Sequence, residues 1–78
     1  MDVARNAATL WYYIIQNHVF VDGNKRTATE ATKLFCKVNS FQLDIPPNGF
    51  IYISLKIANS DITFHDLVNL IYQRLERI

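Results

Sequence analysis

One stretch of ten residues holds the side chains whose types and spacing could do chemistry together: His18-Val19-Phe20-Val21-Asp22-Gly23-Asn24-Lys25-Arg26-Thr27. Gly23 permits close backbone approach and positive φ. Asn24 opens a predicted helix, whose first amides lack intrahelical partners and face outward as a ready anion site. Lys25 and Arg26 then put two cations in the first turn. There they oppose the helix dipole, each at a cost of about 0.3–1 kcal/mol. Local stability gives no reason for them. A bound polyphosphate does, since arginine offers a bidentate fork and lysine a point charge. Asp22, just before this anion loop, suits a magnesium ion that also touches phosphate oxygens. His18 ends the preceding helix, and its near-neutral pKa suits it to take a proton from an attacking hydroxyl. Phe20, between the two, is expected to point inward and anchor the loop.

Each of these residues alone has an ordinary use. A histidine at a helix C-terminus caps the dipole, Asp-Gly makes turns, and Lys-Arg decorates solvated faces. Their ordered spacing between two apolar helices is what argues for a site. The dinucleotide-binding and Walker glycine patterns both fail, because Gly23 is the stretch's only glycine.

The loop needs two helices to position it, and the pattern supplies them. Ala7, Ala8, Leu10, Trp11, Ile14 and Ile15 give helical spacing from about Ala4 to Asn17, with Asp2 as a candidate N-cap. A second helix is predicted from Asn24 to Asn39, with Ala28, Ala31, Leu34, Phe35 and Val38 as its apolar stripe. Pro46-Pro47 then punctuates the chain. The segment from Phe50 to Ile57 fits either a strand (Ile51, Ile53, Leu55, Ile57) or a helix whose stripe runs Ile51, Leu55, Ala58, Ile62. Without a second strand to pair with it, the helical assignment is preferred. Thr63 with Asp66 three residues on resembles a capping box. Phe64, Leu67, Val68, Ile71, Leu75 and Ile78 continue as one helical face. Four helices in 78 residues predict an all-α bundle and a single domain spanning 1–78, with the motif loop at 18–27.

Composition narrows the class. Half of the residues are apolar and 13% aromatic, enough to offset the entropy of ordering a small chain. The first helix is apolar nearly all round at Trp11–Ile15, so burial on more than one side is expected, and with it a two-fold homodimer. The formal charge of +1 implies no long-range field, so direct nucleic-acid or membrane attraction is not expected. The single cysteine, Cys36, sits at an apolar helical position and reads as a buried thiol in a reducing compartment, which agrees with a cytoplasmic location. No apolar run reaches a membrane span, and the N-terminus lacks a signal-peptide layout.

The motif resembles the signature of the Fic/Doc family, His-Pro-Phe-x-(Asp/Glu)-Gly-Asn-(Gly/Lys)-Arg. His18, Phe20, Asp22, Gly23, Asn24 and Arg26 match it in place, and Lys25 takes the variable position. Lysine there, followed by Arg-Thr-Ala, resembles the Doc (death-on-curing) branch of toxin–antitoxin modules. Val19 departs from the usual proline, a change of loop shape rather than of chemistry. The resemblance implies an all-α fold, ATP and magnesium as cofactors, His18 as general base, Asp22 as metal ligand, and Gly23–Arg26 as phosphate cradle. It implies transfer of a phosphoryl group to a protein hydroxyl, as Doc does to a threonine of elongation factor Tu, and an antitoxin as partner. The alternatives are AMP transfer of the Fic type, or a non-catalytic remnant that binds phosphate or self-associates. Family members carry further helices and a β-hairpin flap before the motif, so this chain is expected to represent the C-terminal part of that fold.

Overall fold

The computed structural model describes the backbone of residues 2–17 and 24–78 and the side chains of 3–17 and 26–78. Among them are four helices: α1 (Asp2–Gln16), α2 (Asn24–Val38), α3 (Pro47–Ala58) and α4 (Phe64–Arg74). Two short strands, β1 (Phe41–Leu43) and β2 (Leu75–Arg77), form one antiparallel pair. The all-α expectation holds, with this small sheet added.

α1 is the centre of the bundle. Ala4, Ala7, Ala8, Trp11 and Ile15 are buried, at i, i+3, i+4, i+7 and i+11. Three alanines let neighbouring helices approach closely, and α1 packs against α2, α3 and α4 in turn. Leu10, Tyr12 and Ile14 are half-buried, while Tyr13 is exposed. Trp11 Nε1 donates to the buried Ser54 Oγ at 3.0 Å, and its ring lies 5.5 Å from that of Phe50. Gln16 Nε2 donates to the Ile57 carbonyl. These contacts run in step along both helices, so α1 and α3 point the same way.

α2 and α3 bury different faces from those expected. On α2 the buried residues are Ala28, Thr29, Thr32 and Cys36, while Leu34 and Val38 of the expected stripe are 61% and 71% exposed. The threonines manage this because their hydroxyls bond back to the helix: Thr29 Oγ1 to the Arg26 carbonyl at 3.0 Å, Thr32 Oγ1 to that of Ala28 at 2.7 Å. On α3 the buried set is Phe50, Ile53, Ser54 and Ile57; Ile51 and Leu55 of the expected stripe are exposed.

Helix ends follow local chemistry. α3 starts at Pro47, with the extended Pro46 as its N-cap. It ends in a Schellman arrangement: Asp61 N–H donates to the Lys56 carbonyl at 2.8 Å and Ser60 N–H to that of Ile57 at 3.1 Å, with Ser60 in the left-handed region at φ 59°. α4 is capped as its sequence predicts, the Thr63 side chain accepting from Asp66 N–H at 3.0 Å.

The expected continuation of the last helix through Leu75 and Ile78 is corrected. Leu75 leaves helical geometry (φ −74°, ψ 131°), and Leu75–Arg77 pairs with Phe41–Leu43. The ladder is closed by Asp44 N–H to the Arg74 carbonyl at 2.8 Å and Ile78 N–H to that of Ser40 at 2.9 Å. Gln42 Nε2 donates across it to Glu76 Oε1 at 3.0 Å. A strand partner absent from the local sequence thus overrides a helical spacing that runs on past Arg74.

Candidate phosphate-binding site

The direction of α2 decides whether the predicted loop could sit between two helix ends. Lys33 Nζ stands 4.6 Å over the Phe50 ring near the start of α3, while Arg26 shares a cavity with Ser54 further along it. α2 therefore runs against α3, and so against α1. The C-terminus of α1 and the N-terminus of α2 lie at one end of the bundle, as a loop joining them requires.

α1 closes at Gln16, and Asn17 continues one turn further, its N–H bonded to the Tyr13 carbonyl at 3.0 Å. α2 begins at Asn24, the position expected to offer its free amides to an anion. No acidic residue lies in its first turn. His18, Phe20, Asp22 and Gly23 lie outside the described residues, as do the side chains of Asn24 and Lys25. Of the predicted site side chains, Arg26 is the one placed. It is exposed, in the first turn of α2, and borders a cavity of about 400 Å³.

That cavity is the part of the site that spacing alone did not reveal. Thr29, Lys33, Pro47, Phe50, Ile51 and Ser54 line it beside Arg26. The α2 contribution leaves a faint trace in the sequence, because Lys33 lies seven residues after Arg26 and so on the same helical face. The α3 contribution leaves none, since it depends on how α3 packs. Two cations and no Asp or Glu line the cavity among the described residues. Lys33 also reaches Glu30 at 3.5 Å, an exposed i, i+3 pair that contributes little.

The Cys36 thiol is buried as expected, and burial raises its pKa. It stays protonated at neutral pH and takes no part in the site. Among the described residues there is no cluster of His, Cys, Asp or Glu suited to a metal; the predicted metal ligand, Asp22, is not among them.

The α1–loop–α2 unit is also where a likeness to known proteins falls. Residues 1–36 match the Fic/DOC family. The Fic/DOC match takes in α1, all of His18–Thr27 and α2 as far as Cys36. β1, α3, α4 and β2 lie beyond the matched Fic/DOC segment. No curated protein matches the chain.

Proposed function

We propose that the chain is a Doc-like Fic domain that transfers a phosphoryl group from ATP, with magnesium, to a hydroxyl of a target protein. The observation that carries this is Arg26 in the first turn of α2, beside a cavity that no Asp or Glu lines among the described residues, inside the segment that matches the Fic/DOC family. A cation there is unfavourable for the helix alone and favourable beside phosphate.

In this reading Gly23, Asn24, Lys25 and Arg26 would cradle the phosphates, and Asp22 would hold a magnesium ion, which would supply positive charge against them. His18 accepts the proton of the target hydroxyl as its oxygen bonds to the γ-phosphorus. The bond from that phosphorus to the bridging oxygen breaks, and ADP leaves. Phe20 anchors the loop. Lys25, where a second glycine would let a diphosphate approach the backbone, favours phosphoryl over AMP transfer. The target is a protein of the elongation factor Tu kind, and an antitoxin is the natural regulator of such an activity in the cytoplasm.

Intact-mass spectrometry of candidate targets incubated with the chain, ATP and magnesium tests the proposal. It expects a phosphoryl increment that requires His18. An AMP increment would replace phosphoryl transfer by adenylylation, and nucleotide binding without any adduct would favour a non-catalytic phosphate binder.

A further inference from the structure

Beside the Arg26 cavity lies a second one, of about 340 Å³, that shares Lys33, Pro47 and Phe50 with it. Lys37 lines the second cavity. Arg26, Lys33 and Lys37 stand at i, i+7 and i+11, within about 20° of one face of α2 at 100° per residue, and span about 16 Å along its axis. Neither cavity is lined by Asp or Glu among the described residues. A furrow with three cations on one wall thus runs from the motif end of α2 toward its C-terminus. Its other wall is apolar, supplied by Leu43, Ile45, Pro47 and Phe50.

We infer that this furrow is a docking groove for an acidic peptide segment in which apolar residues alternate with glutamate or aspartate. Two observations select a peptide. Charge complementarity asks for carboxylates along one side and the apolar wall for aliphatic side chains along the other. All three residues of β1 line the furrow, and among the described residues β1 pairs with β2 alone, so no other strand occupies its second edge. Single-stranded nucleic acid is the poorer fit, because it needs open aromatic faces for base stacking. Here Lys33 lies over Phe50 at 4.6 Å, and Arg77 over Phe41 at 5.2 Å. The groove rests on the phosphoryl-transfer reading only in that its occupant is then part of the target protein, flanking the hydroxyl presented at the motif.

Fluorescence anisotropy with a short fluorescein-labelled peptide of alternating glutamate and leucine tests the groove. The wild-type chain should bind it saturably, less tightly as salt rises. Lys33→Glu/Lys37→Glu should weaken binding about tenfold or more and gain affinity for the lysine–leucine counterpart. Lys33→Gln/Lys37→Gln should fall between, with helical circular dichroism unchanged; both positions are exposed, so folding is retained. Equal affinity in wild type and in the folded glutamine variant would overturn the inference. So would a lysine–leucine peptide or an oligothymidylate that binds wild type more tightly than the acidic peptide. ATP–magnesium calorimetry on the same proteins keeps the two ideas apart. Peptide binding without nucleotide binding upholds the groove and sinks phosphoryl transfer; nucleotide binding without peptide binding does the reverse.

Discussion

At the scale of single residues, the buried polar groups carry as much of the argument as the motif. Ser54 is fully buried and accepts the Trp11 indole N–H at 3.0 Å. Ser54→Ala leaves that donor unpaired and should cost about 1–3 kcal/mol. For a domain of this size each kcal/mol shifts the melting temperature by roughly 4–8 °C, so thermal denaturation reads the loss directly. Cys36 gives a pH test. Burial holds its folded pKa above the 9.0 of a free thiol, so folded and unfolded chains bind the same protons at neutral pH. Above about pH 9 the unfolded thiol ionises first, and stability should fall as pH rises. Maleimide labelling should be slow in native protein and fast in denaturant. His18→Ala should lower transfer about 10²–10⁴-fold with an unchanged melting curve; full activity in that variant would remove His18 from the mechanism.

At the scale of elements, α1, α2 and α4 were legible from their periods, whereas α3 fitted strand and helix alike and was assigned by the want of a pairing strand. Thr63 caps α4 as read, while Pro46-Pro47, read as punctuation alone, supplies the N-cap and first residue of α3. Thr63→Ala should cost about 1 kcal/mol, within the usual 0.5–2 for such caps, and a urea titration would show a lower midpoint at constant slope. The buried faces of α2 and α3 were not legible. Polar Thr29, Thr32 and Ser54 occupy the core because each hydroxyl finds a partner, and this leaves Leu34 and Ile51 outside. Hydrophobicity alone places those residues the other way round. The β1–β2 pair was hidden for a related reason: it joins segments far apart in sequence, and Leu75 and Ile78 keep helical spacing with Ile71. As for the site, the motif was readable as a line of residues, whereas the cavity beside Arg26 depends on α3 and could not be read from spacing.

At the scale of the molecule, α1 is covered more fully by its own chain than its composition suggested. Trp11 and Ile15 are buried, and Tyr13 is the exposed member of the aromatic run. Most of the large exposed apolar side chains lie instead on α2 and α3, among them Leu34, Val38, Ile51 and Leu55, with Tyr72 and Ile78 beyond them. The homodimer expected from an uncovered α1 loses that ground, and we propose that self-association uses these outer faces instead. Light scattering at micromolar concentration should give twice the chain mass, and Leu34→Glu should return it to the 9.1 kDa of one chain. A single-chain mass for wild type at all concentrations would exclude the dimer.

The central claim is that the start of α2 is a phosphate site, and calorimetric titration of ATP–magnesium into wild type and Arg26→Ala tests it most directly. Arg26 is exposed, so its removal should leave the melting temperature unchanged. Losing one charge-assisted contact, about 1.5–3 kcal/mol, should weaken binding roughly 10–100-fold. Saturable binding by wild type with that loss in the variant is the predicted result. Equal affinities, or no binding by the folded wild-type chain, would contradict it.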